Sequence, residues 1–226
     1  MNGIYQATLG DADPHTPEVS TEQLRRILSE RSAVVIDTRT RIQFEAGHIP
    51  GARDLDAAPD AQTAAVADIV GGDRQATIVL YCNGPHCQTS RRLALELKEA
   101  QFTDVRRYQL GMAVWRALGG PTAIELGGIK RIIAADRTAV FIDARARDEF
   151  AHGSLPGALH VPANGPLDQR LGALPLPEDD FNRRIVLFGR DAAQARQLAD
   201  GLSSRPWQNV SYFPGSFEAL ATLANI

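Results

Sequence analysis

The two cysteines of this 226-residue chain lie at one strand-to-helix junction, where thiols could do nucleophilic or redox chemistry. Cys82 follows the apolar run 78–81, and a short loop containing Gly and Pro leads from it to Cys87. An apolar, β-branched run bounded by turn residues predicts a buried strand. Residues 90–100 have helical spacing of their leucines, with Ser90 as the expected N-cap. The sequence therefore predicts a strand, a thiol-bearing loop and a helix in succession.

The predicted helix directs the amide groups of its first turn, and partial positive charge, at this loop. Cys82 is therefore a candidate nucleophile, because a thiolate is favoured near such positive charge. The loop and the helix start form a candidate anion site. The residues assigned to it are Asn83, Gly84, His86, Gln88, Thr89, Ser90 and Arg91. A cysteine at a strand end is as commonly a small buried apolar residue, so spacing alone leaves both interpretations of Cys82 open.

Composition excludes several classes of protein. The formal net charge of −3 gives no electrostatic basis for binding nucleic acid or an anionic membrane. Two cysteines cannot form the disulfide framework of a small secreted domain. Residues 1–17 lack the basic and apolar regions of a signal peptide, and no run approaches the roughly 20 apolar residues of a membrane-spanning helix. We expect a cytoplasmic protein without nucleic-acid or membrane partners.

The chain repeats itself at a shift of 106 residues, which places Ile36 on Ile142. Residues 36–39 thus match 142–145, and residues 50–52 match 156–158. Self-similarity at this length predicts two copies of one domain. The expected divisions are a polar lead-in at 1–18, a first copy at 19–124 and a second copy at 125–226.

Each copy alternates strands and helices, which predicts an α/β fold with two small parallel sheets and helices on both faces. Functional crevices of such sheets lie at the carboxyl ends of the strands, where Cys82, Asp37 and Arg39 are expected. The second copy has Gly189 in place of Cys82. We therefore expect it to be inactive and to pack against the first.

Cap and turn signals place two of the helix boundaries. Ser20 and Gln23 form a capping-box pattern, which predicts the start of the first helix. Gly127 and Gly128 are expected to precede the corresponding helix of the second copy.

Several segments of both copies form a set that is typical of one family. In the first copy they are residues 34–39, 44, 47–52, 79–82 and 111–115, and in the second they are 142–145, 153–158 and 215–219. This set resembles the rhodanese family of sulfurtransferases. The resemblance implies two rhodanese-like domains in tandem and a persulfide on Cys82. Tandem members usually carry the active cysteine in the second domain, and the loop here resembles a subgroup with a Cys-Asn-Gly-Pro-x-Cys pattern.

The expected activity is transfer of sulfane sulfur through Cys82. The partners would be a small sulfur-donor anion such as thiosulfate and an acceptor that is cyanide, a small thiol or a protein thiol. Cys87 is either a resolving thiol that forms a disulfide with Cys82 or the sulfur carrier itself. The alternative is a non-catalytic module for redox sensing or protein docking.

Other chemistry at this loop is not expected. Cys82, His86 and Cys87 lack a fourth metal ligand, so neither a metal nor another cofactor is expected. A related phosphatase reaction needs an arginine where Gln88 stands. His86 is either an acid–base group or an exposed residue without a role.

Three further polar residues have structural interpretations. His48 lies in a Gly-His-Ile-Pro-Gly turn, which favours a structural role. Asp37 and Arg39 are expected to fix a loop by hydrogen bonds rather than to touch substrate.

Overall fold

The computed structural model describes residues 16–161, 166–172 and 174–223. Contacts divide the chain into a first unit, Met1–Arg41 with Pro50–Trp115, and a second unit, Ile42–Ile49 with Arg116–Ile226. Residues 1–15 of the predicted lead-in at 1–18 lie outside the described residues. In the part of the chain that the structure describes, no helix is both long and apolar enough to cross a membrane.

The described residues of the first unit form a four-stranded parallel sheet of order β2-β1-β3-β4. Its strands are β1 (Val34–Asp37), β2 (Arg53–Asp54), β3 (Thr77–Tyr81) and β4 (Asp104–Tyr108). Helix α2 (Arg41–Ala46) falls mostly in the second unit. The other helices are α1 (Thr21–Glu30), α3 (Gln62–Ile69) after a 3₁₀ turn (Pro59–Ala61), α4 (Gln88–Glu99) and α5 (Gly111–Ala117).

Both faces of the first sheet are buried, since successive side chains of a strand point to opposite faces. Ile78 and Leu80 of β3 pack in one apolar cluster with Leu93 and Leu97 of α4. Val79, between them, is also fully buried. Apolar side chains on both faces of β3 therefore hold its carboxyl end inside the unit.

The predicted capping box of α1 is confirmed. The Ser20 hydroxyl accepts a hydrogen bond from the Gln23 amide at 3.1 Å, and the Gln23 side chain accepts one from the Ser20 amide at 2.7 Å. These two bonds satisfy donors that a helix start otherwise leaves without partners.

The described residues of the second unit form a five-stranded parallel sheet of order β5-β9-β8-β6-β7. Its strands are β5 (Thr122–Ala123), β6 (Val140–Asp143), β7 (Leu159–His160), β8 (Ile185–Phe188) and β9 (Val210–Tyr212). Its helices are α6 (Leu126–Ala135), α7 (Arg147–His152), α8 (Leu167–Gly172), α9 (Ala192–Ser203) and α10 (Phe217–Ala221). Leu187 of β8 packs against Leu198 of α9, whereas Phe188 lies with Ile129 of α6 on the opposite face.

The predicted repeat and fold class are confirmed. Shifting β1 and β2 by 106 residues gives the bounds of β6 and β7. One boundary prediction is wrong, because Gly127 and Gly128 lie inside α6 rather than before it. A Cβ at Gly128 would collide with the carbonyl of Glu45, which accepts the Glu125 amide at 3.0 Å. Glycine at this position permits a close backbone approach and does not mark a helix stop.

We expect Leu97→Ala to lower the free energy of unfolding by about 2–5 kcal/mol, because it removes a fully buried side chain from the α4 contact with the sheet. The matched control is Leu95→Ala on the same helix, where the side chain is exposed and the loss should stay below about 1 kcal/mol. Urea denaturation monitored by circular dichroism measures both values. Equal losses of unfolding free energy in the two variants would mean that the Leu97 face of α4 is not packed in the core.

Candidate active site

The structure places both cysteines at the carboxyl edge of the first sheet. Cys82 directly follows β3 and is only 5% exposed. Cys87 is the N-cap of α4, is partly exposed and forms a disulfide with Cys82, with 6.2 Å between their Cα atoms. The Cys82 sulfur therefore lies at the N-terminus of α4, bonded to the N-cap residue.

The predicted N-cap of α4 is wrong by three residues, because Cys87 and not Ser90 occupies this position. The helix begins at Gln88, and Ser90 lies inside its first turn with 2% exposure. The Cys87 amide donates to the Gly84 carbonyl at 3.0 Å, and this turn brings the chain into helical conformation before Ser90. Cysteine is not a typical N-cap, so cap preferences alone favoured the serine.

Backbone hydrogen bonds from two directions fix the residue that carries the thiol. The Thr38 amide and hydroxyl each donate to the Tyr81 carbonyl at 3.0 Å, from the end of β1. The Met112 amide donates to the Cys82 carbonyl at 3.1 Å, from the start of α5. We call these three bonds the Cys82 clamp. They hold the peptide groups on both sides of the Cα atom of Cys82.

Gly111 makes the second half of this clamp possible. Its φ is +62°, a left-handed conformation that glycine adopts without steric cost. A Cβ at this position would lie 2.5 Å from the Cys82 carbonyl oxygen. Sequence reasoning assigned neither Gly111 nor Thr38 to the site. A glycine at the first position of a short helix after a strand was the available signal.

The N-terminus of α4 is open toward the cysteine loop. The first turn of α4 contains no acidic residue, and the Cys87 side chain makes no capping hydrogen bond. The first amides of any helix lack intrahelical acceptors, so this end attracts anions.

The side chains assigned to the anion site differ in exposure. Arg92, which follows the assigned Arg91, is not one of them; it donates to Glu96 of α4 and Gln62 of α3, at 2.6 and 2.8 Å. Among the predicted site residues, the exposed ones are Asn83, His86 and Gln88, the partly buried ones are Gly84, Thr89 and Arg91, and the buried one is Ser90.

Asp37 and Arg39 form a buried pair beside β3. The guanidinium of Arg39 donates to the Asp37 carboxylate at 2.6–3.1 Å, and the Tyr81 hydroxyl donates to it at 2.6 Å. Burial alone would lower the pKa of Arg39, but the hydrogen bonds and charges of Asp37 and Tyr81 together outweigh burial and raise that pKa. The carboxylate is thus occupied by partners from its own unit, as the structural interpretation predicts.

The corresponding loop of the second unit is closed by its own side chains. Asp191 is the N-cap of α9, and its carboxylate accepts the Gln194 amide at 2.9 Å. The Gln194 side-chain oxygen accepts the Arg190 amide at 2.9 Å. A Cβ at Gly189 would lie 2.6 Å from that same oxygen. Side chains of the loop therefore already accept two of its amides, and the negative charge of Asp191 opposes an anion at this helix start.

His48 has a structural environment within the second unit. Its ring stacks on Phe44 with 3.7 Å between ring centroids, and its backbone exchanges two hydrogen bonds with Ala123. Within the described ranges, no group of three or more His, Cys, Asp or Glu side chains is arranged to hold a metal ion.

We expect Gly111→Ala to lower the free energy of unfolding by about 1–3 kcal/mol more than the control Gly71→Ala. Both glycines have nearly the same φ, +62° and +63°, but a Cβ at Gly71 would meet no atom within 4 Å. Urea denaturation gives the energies, and hydrogen exchange should show faster exchange of the Met112 amide only in Gly111→Ala. Equal losses with unchanged exchange would show that the close approach to Cys82 is unimportant.

Comparison with known proteins follows the same division into halves. The sequence profile of the rhodanese-like domain matches residues 20–118 and 128–222. Thiosulfate sulfurtransferase GlpE of Pseudomonas putida is 34% identical over 102 residues, which cover 44% of this chain and 84% of the relative. The HTH-type transcriptional regulator Rv0324 of Mycobacterium tuberculosis is 31% identical over 103 residues, which cover 46% of this chain and 43% of the regulator.

A crystal structure of thiosulfate sulfurtransferase from Pseudomonas aeruginosa aligns with 92% of this chain at a TM-score of 0.42 and 20% identity. The chain spans 42% of that protein, so it covers less than half of both this structure and the regulator. The profile matches most of both halves of the chain, each of which folds as a parallel sheet between helices. The chain therefore belongs to the rhodanese family, as two rhodanese-like domains in tandem.

Proposed function

We propose that the chain is a sulfurtransferase that carries sulfane sulfur as a persulfide on Cys82. The observation that carries this proposal is the position of the Cys82 sulfur, which lies at the open N-terminus of α4 while the clamp fixes its backbone. Partial positive charge at this end stabilises a thiolate and then a persulfide anion. Relatives named thiosulfate sulfurtransferase support the reaction class.

The proposed reaction has two displacement steps. The Cys82 thiolate attacks the outer sulfur of thiosulfate, a sulfur–sulfur bond forms, and sulfite leaves with the electron pair of the broken bond. Cyanide or a thiolate then attacks the outer sulfur of the persulfide, and the Cys82 thiolate leaves. Both steps require the reduced pair, since the Cys82 sulfur in the disulfide with Cys87 is not a free thiolate.

The donor is proposed to be a small anion because of the charge around the loop. The amides of the first α4 turn can donate to oxyanions, and no acidic residue of that turn opposes them. Asn83, His86, Gln88 and Thr89 are the polar side chains proposed to contact the donor. The partly buried Arg91 would add positive charge at the same end.

The two domains are proposed to differ in activity. The domain at residues 19–124 would be the active one, and the domain at residues 125–226 would be inactive. The second domain has neither a thiol at Gly189 nor an open helix terminus, because Asp191 caps α9.

One observation favours a second candidate function. The disulfide between Cys82 and Cys87 is also what a redox-sensing or docking module would contain. Such a module would switch between dithiol and disulfide without taking up sulfur. Sulfur uptake therefore separates the two functions.

We expect the reduced Cys87→Ser variant, which has no second thiol to react with a persulfide, to gain the mass of one sulfur atom after exposure to thiosulfate, with the added sulfur on Cys82. Cys82→Ser should gain no sulfur, and its formation of thiocyanate from thiosulfate and cyanide should fall to the uncatalysed rate, because serine cannot form a persulfide. Intact-mass spectrometry, peptide mapping and a thiocyanate assay measure these outcomes.

The oxidised protein is the control for this experiment, because its sulfur atoms are bonded to each other and should take up nothing. Full activity of Cys82→Ser would contradict the assignment and would move the sulfur carrier to Cys87. Absence of any mass gain in the reduced Cys87→Ser variant would favour the redox or docking module.

A further inference from the structure

Cys87 is placed to react with the sulfur that Cys82 carries. We propose that Cys87 is a resolving thiol that expels the sulfane sulfur as hydrogen sulfide, which makes the chain a thiol-dependent sulfide-releasing enzyme. This inference rests on the proposed persulfide of Cys82. It identifies the reaction that consumes that persulfide when no external acceptor intervenes.

The geometry brings the two sulfur atoms together with both backbones anchored. The Cys82 clamp holds one cysteine, and the Ala113 amide also donates to the Asn83 carbonyl at 3.3 Å. The other cysteine is anchored by its own amide on Gly84 and by its place as N-cap of α4. Their Cα separation of 6.2 Å lies in the normal range for a disulfide. The Cys82–Cys87 bond therefore fits the folded loop.

Bond formation between these residues specifies which sulfur atom Cys87 attacks. In a persulfide of Cys82, the inner sulfur occupies the place of the sulfur that is bonded to Cys87 in the structure. Attack there joins the two cysteines and breaks the bond to the outer sulfur. The outer sulfur leaves with that electron pair and takes up the proton lost by Cys87. The sulfane sulfur is reduced to sulfide, and the two cysteines are oxidised to a disulfide.

The position of Cys87 at a helix terminus supports its role as attacking group. As N-cap it lies beside the amides of the first turn of α4, where partial positive charge favours the thiolate. An intramolecular nucleophile of fixed orientation also competes well with dissolved acceptors, because effective molarities of well-oriented groups reach about 10⁵ M or more. Sulfide release should therefore precede transfer to millimolar acceptors.

Turnover requires an external thiol as reductant. The more exposed sulfur of the disulfide belongs to Cys87, since Cys82 is 5% exposed and Cys87 is partly exposed. Attack by a thiol on Cys87 forms a mixed disulfide there and releases Cys82 as thiolate, ready for the next donor. A second thiol then frees Cys87. In sum, one thiosulfate and two thiols give one sulfite, one hydrogen sulfide and one external disulfide.

A single-turnover experiment tests this role. The full-length protein is reduced, freed of reductant and mixed anaerobically with one equivalent of thiosulfate. Sulfide and protein thiols are then measured, and cyanide is added afterwards. We expect about one sulfide for each chain, loss of both thiols and little thiocyanate. In Cys87→Ser we expect sulfide release to be at least tenfold slower, with about one thiocyanate formed on addition of cyanide.

The choice of variants distinguishes loss of the Cys87 thiol from loss of the folded structure. Serine is a good N-cap, so Cys87→Ser should keep α4 intact, and Cys87→Ala is a second variant should the first fail to fold. Ser29→Ala changes an exposed hydroxyl on α1 and should behave as the unaltered chain does.

Three results would overturn the resolving role. The first is equal sulfide release from Cys87→Ser and from the unaltered chain when both form the persulfide. This result would overturn the resolving role and leave the sulfurtransferase proposal standing. The second is sulfur mapped to Cys87 in the unaltered chain, because Cys87 would then be the sulfur carrier. Absence of persulfide in every protein would remove the proposed function and this inference with it.

Discussion

The Cys82 clamp is the constraint on which the proposed chemistry of the first unit depends. A cysteine at the end of a strand could point its sulfur in several directions if its flanking peptide groups were free to rotate. Here the Tyr81 carbonyl is held from β1 and the Cys82 carbonyl from α5, so the thiol is directed by bonds to neighbouring elements. Gly111 permits the α5 contact because it has no Cβ. Preorganisation of this kind supplies orientation before substrate arrives.

Comparison of the two units separates residues that maintain the fold from residues that are proposed to serve chemistry. The second unit has no thiol at Gly189, yet it keeps the aspartate–arginine pair, in which Arg145 donates to Asp143 at 2.7–3.2 Å. Its Asp143 also accepts the Ser154 hydroxyl at 2.7 Å, where Asp37 accepts a tyrosine hydroxyl instead. Because the Asp143–Arg145 pair is present in a unit without the cysteine, we infer that it supports the loop after its strand. The equivalent pair in the first unit therefore contributes to the scaffold.

The sequence alone predicted the helices and strands that are marked by neighbouring residues or by the internal repeat. The repeat placed β6 and β7, and the Ser20 capping box placed α1, because each depends on neighbouring residues. The start of α4 was not predictable in this way, since Cys87 caps it through a turn and a covalent bond to Cys82. Gly111 and Gly128 were also missed as contact residues. Each glycine lets its backbone lie close to a segment that is distant in sequence, and composition and spacing do not reveal such a contact.

Loop length ties the proposed chemistry of Cys82 to the start of α4. Residues 82–86 separate β3 from the N-cap Cys87, whereas only Gly189 and Arg190 separate β8 from the N-cap Asp191. The longer loop places the N-cap Cys87 within bonding distance of the strand-end Cys82, as the proposed resolving step requires. In the shorter loop, the N-cap carboxylate and the Gln194 side chain satisfy the amides that an anion would need. A cysteine at position 189 would also meet the Gln194 oxygen. A single thiol at position 189 would still lack an open helix terminus, because Asp191 caps α9, so a reactive cysteine there would require a different loop.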